Sequence, residues 1–303
     1  MELEFKPVVA GDIDRLRPFY GLRPNKTCDS VFLDSFLWKD YYHVQCAVSE
    51  GRAVLWLMEK DGQVSTAMPL CREEDLPYFF QQMVDYFSGV LHKPFYISLA
   101  DEEAVQCLNL DPALFEVEEQ VDLKDYLYSG EELRKLEGKK FVKKRNHLNG
   151  FKRTYEGRDE YRRLCCSDRH EVWQFMERWR QHKEEVGTME LSLDYEVAGI
   201  HDILKNCSSL YVRMAGVYID GQLEAFTIGS LNVRENMAVI HIEKANPEIR
   251  GLYQFINQQF LINEFPEAEL VNREDDVGME GLRKAKMSYC PIGFARKYMV
   301  RER

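Results

Sequence analysis

The amino-acid sequence predicts an α/β protein with two similar halves, each a mixed, mostly antiparallel sheet flanked by helices. Strand patterns surround an Asp-Gly pair in both halves, at Asp61-Gly62 and Asp220-Gly221, and this pair favours a tight hairpin turn. In both halves three predicted strands precede a long helix, and a strand, a helix and an extended stretch follow. Because the same order of elements occurs twice, we infer a tandem duplication. A chain of 303 residues is long enough for two domains.

The first half is predicted to begin with short helices and a meander of strands. Its helices are expected over 12–20, 29–42, 73–91 and 101–108, and its strands over 44–48, 53–58, 63–70 and 95–99. Residues 115–128 are expected to be extended at least in part. The helix over 73–91 is the clearest, because its apolar residues share one side: Leu76, Phe79, Phe80, Met83, Val84 and Phe87.

The second half is predicted to open with two helices and then alternate strands with helices. Asp168 is a candidate N-cap for the first helix, Gly187 a candidate end, and the next helix is expected over 193–205. Strands are expected over 211–219, 223–231, 237–245, 268–272 and 293–300, and helices over 251–264 and 280–287. The predicted domains are therefore 1–130 and 161–303, and a basic helical segment at 131–160 joins them.

The charge of the chain is acidic overall but basic in one segment. Forty basic and 51 acidic side chains give a net charge of −11, which argues against a general nucleic-acid coat. Residues 134–153 nevertheless contain nine basic side chains and one acidic, Glu137. Leu148 and Phe151 lie among them at helical spacing, so one face of this segment is expected to pack while the other presents charge. One anionic ligand held at this place is one interpretation, and a solvated helix face is the other.

The apolar runs and the cysteines predict a cytoplasmic protein. The longest apolar run has six residues, 53–58, whereas a bilayer-spanning helix needs about 20. The first five residues are acidic and lack the basic and apolar regions of a signal peptide. The eight cysteines form no Cys-x-x-Cys pair, which argues against a structural zinc site. In a reducing compartment they are expected to be mostly small core residues.

Three segments of the chain form recognisable motifs: residues 143–149 (KKRNHLN), 271–278 (VNREDDVG) and 281–289 (GLRKAKMSY). With these motifs the chain resembles the soluble family related to the C-terminal domain of phosphatidylglycerol lysyltransferase. The resemblance implies two fused GNAT-type domains, like those of the FemABX peptidyltransferases. Characterised relatives move an amino acid from an aminoacyl-tRNA to an amine or hydroxyl of a lipid or peptide. The chain lacks the lysyltransferase's membrane domain, so a membrane-lipid acceptor is not expected, while peripheral contact with a membrane stays open.

Two residues are candidates for the chemistry that this resemblance implies. Acyl transfer needs a base for the attacking group and an acid for the leaving group. His241 and Glu243 alternate with apolar residues on a predicted strand and point to one face, which makes Glu243 the candidate base. A cross-strand salt bridge is the alternative. Tyr289 is the candidate acid, and a packed, hydrogen-bonded anchor is its alternative.

The candidate substrate-binding residues come from the same three motifs. They are Lys143, Lys144, Arg145, Asn146, Asn272, Arg273, Glu274, Asp275, Arg283 and Lys286. Arg273 follows a strand end, where α/β proteins bind ligands, and its guanidinium suits a phosphate or carboxylate. The acids after it suit the ammonium of an aminoacyl group. A cluster of turn and capping residues is the alternative.

The loop before the helix predicted over 251–264 indicates whether acetyl-CoA could be the cofactor. In acetyl-CoA-dependent members of this superfamily, a glycine-rich turn leads into a helix N-terminus that binds pyrophosphate. Arg250 and Gly251 are the candidate cofactor-binding residues at the matching position. Tyr253 and Phe255 stand where glycine or a small residue is usual, and their side chains are expected to hinder a diphosphate. Ordinary acetyl-CoA use is therefore not expected, and no metal site is predicted.

The leading hypothesis is an acyl- or aminoacyl-transferase that uses an anionic donor, preferably an aminoacyl-tRNA, and an amine or hydroxyl acceptor. One alternative is an acyl-CoA N-acyltransferase with a degenerate phosphate loop. Another is a non-catalytic protein that binds an anion or a nucleic acid and kept only the fold. No Ser-His-Asp order, phosphate-binding loop, dinucleotide fingerprint or His-Glu-x-x-His motif occurs, so a hydrolase, kinase or zinc protease is not supported. The oligomeric state stays open.

Overall fold

The computed structural model describes residues 3–185 and 193–303. The helices are α1 Ile13–Tyr20, α2 Phe32–Leu37, α3 Leu76–Tyr86, α4 Glu102–Leu108, α5 Gly130–Lys135, α6 Val142–Thr154, α7 Arg169–Glu185, α8 Leu193–Asn206, α9 Leu252–Glu264 and α10 Glu280–Met287. The strands are β1 Lys6–Pro7, β2 Gln45–Ser49, β3 Ala53–Lys60, β4 Gln63–Ser65, β5 Tyr96–Asp101, β6 Phe115–Glu119, β7 Asp125–Ser129, β8 Asp159–Arg163, β9 Arg213–Ile219, β10 Gln222–Asn232, β11 Met237–Ala245, β12 Leu270–Asn272, β13 Gly293–Ala295 and β14 Lys297–Glu302.

A seven-stranded sheet dominates the second half, in the order β13-β7-β12-β11-β10-β9-β8. Its pairs are antiparallel except β11 with β12, which run parallel. The turn between β9 and β10 has positive φ at Asp220 and at Gly221, as the predicted hairpin requires.

The two halves exchange strands. The first half contains a four-stranded sheet, β1-β2-β3-β4, and a three-stranded sheet, β5-β14-β6, whose middle strand is the last of the chain. In return, β7 lies between β12 and β13 in the large sheet. The predicted boundaries at 130 and 160 stay predictions, but strand pairing crosses both.

One apolar core joins the halves as well. Phe36 and Leu37 of α2 share a cluster with Ile200 of α8 and Phe226 of β10. Helices α2 and α8 approach so closely that a Cβ on Gly199 would lie 2.2 Å from the carbonyl oxygen of Leu37. Within the described ranges, no helix combines the length and the apolar character that a bilayer span requires.

The parallel pair β11–β12 opens after three residues. Met237, Ala238 and Val239 pair with residues 270–272 of β12. Strand β11 then continues to Ala245, while the segment that follows β12 leaves the sheet as a loop. We call the gap between residues 240–245 of β11 and the loop 273–279 the wedge. It is the feature of the fold that positions the site described below.

Several elements differ from their prediction. The helix expected over 29–42 covers only Phe32–Leu37, because the chain turns back through His43, at φ 45°, to enter β2. The strand expected over 293–300 is divided between two sheets as β13 and β14. Strand β8 was not predicted, and Gly187 lies outside the described residues.

The cysteines also differ from expectation at one place. Cys166 and Cys207 form a disulfide, with Cα atoms 5.8 Å apart. Their separation of 41 residues in the chain carries no pairing signal. The free cysteines Cys28, Cys46 and Cys71 are buried, as expected of small core residues.

Candidate functional site

An ion pair bridges the wedge. Glu243, near the end of β11, accepts a hydrogen bond of 2.8 Å at Oε1 from Nη2 of Arg273, the first residue after β12. Its other oxygen, Oε2, accepts from Nδ2 of Asn257 on α9 at 2.9 Å. The side chains of Arg273 and Glu243 are only 13% and 9% exposed. Since both carboxylate oxygens are engaged, Glu243 is well placed to orient Arg273.

Aromatic and cationic groups surround the Arg273 guanidinium. Its Cζ lies 4.7 Å from the ring centroid of Tyr289, the second residue after α10, and 5.9 Å from that of Tyr128 on β7. Lys144 reaches over from α6, with Nζ 3.8 Å from the Tyr289 centroid. Both cations therefore lie close to the same electron-rich ring, whose face attracts positive charge.

Two hydrogen-bond donors in this cluster are buried without a partner among the described residues. They are Nη1 of Arg273 and the hydroxyl of Tyr289, neither of which makes a well-formed hydrogen bond. Burial raises the pKa of Tyr289 to about 12, against the opposing effect of the nearby Arg273 and Gln254 side chains, so the hydroxyl keeps its proton at neutral pH. Buried donors are nearly always paired, and an unpaired one costs stability. Two of them side by side indicate a place for an acceptor oxygen that the protein does not itself supply.

The ammonium of Lys144 has an unusual acidity. Burial, and then repulsion by Arg273, lower the pKa of Lys144 from 10.5 to about 8. The wedge therefore holds one permanent cation and one that is partly neutral near pH 8. An anionic or strongly polarised group would restore the charged form.

A second polar pair lies two residues earlier on β11. His241 Nδ1 is 2.9 Å from Glu274 Oε1, and His241 Nε2 is 2.8 Å from Ser230 Oγ. Burial lowers the pKa of His241 to about 3 and raises that of Glu274 well above its usual range. The pair is therefore a neutral network that closes the inner end of the wedge.

A buried group of acids and one lysine continues beyond Glu274. The ligand atoms of Cys28, Asp34 and Glu274 all lie within 4.8 Å of one another. Lys297, 1% exposed, places Nζ 2.8 Å from Asp125 Oδ1 and 3.2 Å from Cys28 Sγ. Because this ammonium already occupies the neighbourhood of the thiol, the charge that a metal ion would bring is disfavoured there.

The structure brings together four of the predicted site residues: Glu243, Arg273, Tyr289 and Lys144. Other predicted site residues make hydrogen bonds or ion pairs with groups of the protein itself. Asn272 is fully buried and donates to Lys26 O and Asp125 Oδ2. Lys286 donates to the carbonyl oxygens of Arg273 and Asp275. Arg283 is held by Asp276 and Asp122. These residues shape the loop 273–279, so a direct role in binding stays a prediction.

The basic segment forms α5, α6 and the turn between them. Arg145 donates to the carbonyl oxygens of Leu136 and Gly138 and so secures that turn. Lys143 and Asn146 are exposed on α6. Of the basic triplet 143–145, Lys144 is the member that contacts the wedge.

Gly251 is used for helix packing. It has φ +90°, and a Cβ added there would lie 2.3 Å from the carbonyl oxygen of His147 on α6. Phe255 is buried and stacks on Phe151 of α6, with centroids 4.7 Å apart. Helix α6 therefore covers the N-terminus of α9, the place expected for a diphosphate, and Phe255 points into the core. Arg250 is exposed beside it.

Asn257, Tyr128 and Asp34 were not among the predicted residues. For two of them the sequence contains a pattern that could have identified them. Asn257 interrupts the apolar face of α9, and Asp34 lies between apolar pairs in α2. A buried polar residue in such a pattern needs a partner. Tyr128 has no such signal, because its approach depends on the exchange of β7 into the second sheet.

Comparisons with known proteins agree with this architecture. The family described as "Phosphatidylglycerol lysyltransferase, C-terminal" matches residues 21–301. A conserved protein of unknown function from Bacteroides thetaiotaomicron is 27% identical, with all of both chains covered and a TM-score of 0.90. L-PGS from Bacillus licheniformis is 15% identical, with 95% of this chain and 91% of that chain covered and a TM-score of 0.67. FemX is 11% identical, with 98% and 96% covered and a TM-score of 0.64.

A curated relative covers less of the chain. An uncharacterised protein of Mycoplasmoides gallisepticum is 28% identical over 178 residues, which are 58% of this chain and 56% of that protein. The matched region thus spans little more than half of that relative. The predicted fold class, a tandem GNAT-type α/β architecture, is confirmed. With a family match over residues 21–301 and the shared fold, this chain belongs to the phosphatidylglycerol lysyltransferase C-terminal family.

Proposed function

We propose that the protein is an aminoacyltransferase whose donor is the aminoacyl end of a tRNA and whose acceptor is an amine or hydroxyl. The observation that carries this proposal is the pair of unpartnered buried donors, Arg273 Nη1 and Tyr289 OH, in the wedge of a GNAT-type sheet. Family membership supports the class of reaction. The donor and the acceptor are our inference.

In the proposed reaction the two donors bind the carbonyl oxygen of the aminoacyl ester. The acceptor nitrogen or oxygen bonds to the carbonyl carbon, and negative charge develops on the carbonyl oxygen beside Arg273 and Lys144. Donors fixed in advance around that oxygen stabilise the transition state more than the ground state. Glu243 keeps the guanidinium in place. A separate role for Glu243 as a base stays a prediction, since both of its oxygens already accept hydrogen bonds.

Collapse of the intermediate breaks the ester C–O bond. Tyr289 passes its proton to the departing ribose oxygen, and the proton lost by the acceptor returns to the Tyr289 oxygen. The sum is one acyl group moved and one ribose hydroxyl released, with no oxidant or cofactor consumed. The high pKa of Tyr289 suits an acid that must stay protonated until this step.

The outer surface of α6 supports an RNA donor over a CoA thioester. Lys139, Lys143 and Arg153 are exposed along the segment, and exposed cations bind a phosphate backbone. The diphosphate position of acetyl-CoA users is instead covered by the His147 carbonyl.

The test is Tyr289→Phe, which removes a hydroxyl that makes no well-formed hydrogen bond to the described residues. Removal of one such donor should lower the transfer rate about 10² to 10³-fold, whereas the melting temperature should change little, because only loose contacts with Arg273 and Gln254 are lost. Single-turnover transfer from aminoacyl-tRNA to a panel of amines and alcohols measures the first effect. Thermal unfolding measures the second.

Tyr161→Phe is the matched control, since the Tyr161 hydroxyl is also buried without a well-formed hydrogen bond in the described part of the chain but lies outside the wedge. It should leave transfer unchanged. Equal transfer by wild type and Tyr289→Phe would end the proposed mechanism. A melting-temperature rise with CoA thioesters, and none with tRNA, would move the assignment to an acyl-CoA N-acyltransferase.

A further inference from the structure

Lys286, near the end of α10, is buried although it carries an ammonium group. It is 9% exposed, and lysine is rarely buried unless hydrogen bonds or an opposite charge compensate the loss of water. Its Nζ donates to the backbone carbonyl oxygens of Arg273, at 2.6 Å, and of Asp275. The ammonium therefore joins α10 to the loop 273–279, which forms one side of the wedge.

The residue between these two carbonyl groups has an unfavourable backbone conformation. Glu274 has φ 57°, in the left-handed region, where a residue with a Cβ costs free energy. Such a conformation persists where the surrounding contacts impose it. Lys286 binds the carbonyl on each side of Glu274, and Asn272 Oδ1 accepts a hydrogen bond of 2.6 Å from the Glu274 N–H. The shape of the loop therefore depends in part on Lys286.

The backbone of Arg273 is held on both sides of its Cα. Its N–H donates to the carbonyl oxygen of Tyr126 at 3.1 Å, and its carbonyl oxygen accepts from Lys286. The guanidinium lies at the far end of a long side chain, where it donates to Glu243. A small rotation of the backbone is therefore enlarged at the guanidinium, and a displacement of about 1 Å at a reacting group can lower a rate about 10²-fold.

Lys286 also fixes a second group that lies beside Arg273. Its carbonyl oxygen accepts a hydrogen bond of 2.9 Å from the hydroxyl of Tyr128, whose ring centroid lies 5.9 Å from Arg273 Cζ. One residue of α10 thus holds the backbone of Arg273 through its side chain, and the ring near the guanidinium through its own backbone. A lysine that served only to charge the surface would make neither contact.

We propose that Lys286 is a positioning residue, whose ammonium sets the loop 273–279 so that the Arg273 guanidinium is aimed at Glu243 and at the acceptor position of the wedge. Lys286 acts through Arg273 and does not itself touch the substrate, unlike the substrate-binding role that the family resemblance implies. This deepens the proposed function and rests on it for the consequence in transfer. The placement of Arg273 itself is measurable without any substrate.

The test is NMR of the intact protein with ¹⁵N-labelled arginine, in the absence of substrate. Buried, hydrogen-bonded N–H groups exchange slowly with water, so the Arg273 guanidinium should give slowly exchanging signals, which Arg273→Lys identifies by their loss. Lys286→Met keeps the length of the side chain and removes the ammonium. It should make these N–H groups exchange about tenfold faster or more, the equivalent of losing one hydrogen bond to a charged group.

Lys284→Met is the matched control, because it removes the same charge from an exposed position on the same helix. It should leave the Arg273 signals unchanged. Lys286→Gln keeps an amide donor without the charge and should give an intermediate exchange rate. It also provides the comparison if thermal unfolding shows that Lys286→Met does not fold.

Unchanged Arg273 signals in a folded Lys286 variant would overturn the proposal. So would an equal change in Lys284→Met, or a wild-type Arg273 that exchanges as fast as the exposed arginines.

Single-turnover transfer gives the consequence for the reaction. Lys286→Met should lower the rate constant at saturating aminoacyl-tRNA about 10²-fold and leave the half-saturating concentration unchanged, because the exposed cations of α6 are intact. A higher half-saturating concentration, with an unchanged rate constant and normal exchange at Arg273, would assign direct binding to Lys286 and overturn the proposal. If the wild type transfers nothing, the proposed function fails, and the NMR result still decides the role of Lys286.

Discussion

At the scale of single residues, the wedge differs from an ordinary buried ion pair in what it leaves unpaired. A structural pair usually satisfies every buried donor. In this protein Glu243 uses both oxygens, but Nη1 of Arg273 and the hydroxyl of Tyr289 make no well-formed hydrogen bond within residues 3–185 and 193–303. The cross-strand salt bridge that the sequence allowed is therefore present, and it also orients a guanidinium that has a further nitrogen available to donate.

Lys144 should titrate near pH 8. Lysines methylated with a ¹³C label should include one whose NMR signal titrates with a midpoint near pH 8. Lys144→Arg should remove that signal, and Lys143→Arg, the exposed neighbour, should not. If no lysine titrates below pH 9, the described burial of Lys144 is wrong.

The lowered pKa of Lys144 also makes the stability of the folded protein depend on pH. Because the pKa of Lys144 is lower in the folded protein than in the unfolded chain, the folded state binds fewer protons between these two values. The contribution of Lys144 to stability is therefore smallest below pH 8 and rises as the pH increases toward 10.5.

At the scale of elements, α6 has two faces with different tasks. Its inner face contacts the wedge through Lys144 and the start of α9 through the His147 carbonyl. Its outer face presents Lys143 and Arg153. The nine basic residues of the segment thus divide into structural and exposed groups. Because Arg145 is structural, a variant that replaces it together with exposed residues would combine a loss of stability with a loss of surface charge.

Replacing Lys139, Lys143 and Arg153 together by Ala should weaken tRNA binding and reduce its salt dependence. Each lost phosphate contact lowers the slope of log affinity against log salt by up to about 0.9. Filter binding at several salt concentrations measures this. Lys6, Arg72 and Lys93, exposed in the first half, replaced together by Ala, are the control of equal charge. An identical effect of both triple variants would mean that only net charge matters.

Comparing Gly251→Ala with Gly221→Ala should distinguish the stability cost of disturbing the contact between α6 and α9 from the cost of backbone strain alone. Gly221 has a similar φ, +82°, but open space around its Cβ position, whereas a Cβ at Gly251 would meet the His147 oxygen at 2.3 Å. Gly221→Ala should cost roughly 1 kcal/mol and Gly251→Ala clearly more. Urea unfolding compares them. Equal costs would show that α6 can shift away from α9 without penalty.

At the scale of the whole molecule, the sequence predicted the elements better than their partners. Helix α10 has the expected bounds, and the hairpin at Asp220 forms as its turn chemistry requires. The local patterns that predict them act over a few residues. The exchange of β7 and β14 depends on which sheet edge is free after folding, and no local pattern encodes that. The same reason explains why Glu243, Tyr289 and Arg273 were among the predicted site residues while Tyr128 was not.

The position of β14 has a consequence for how the protein is made. The strand between β5 and β6 is supplied by residues 297–302, which lie beyond all the other strands of the second half in the sequence. The sheet of the first half therefore lacks its middle strand while the ribosome synthesises the second half, although nascent domains often fold in order of synthesis. Completion of that sheet must wait until residues 297–302 have left the exit tunnel, so the first half is exposed to chaperones and proteases until then.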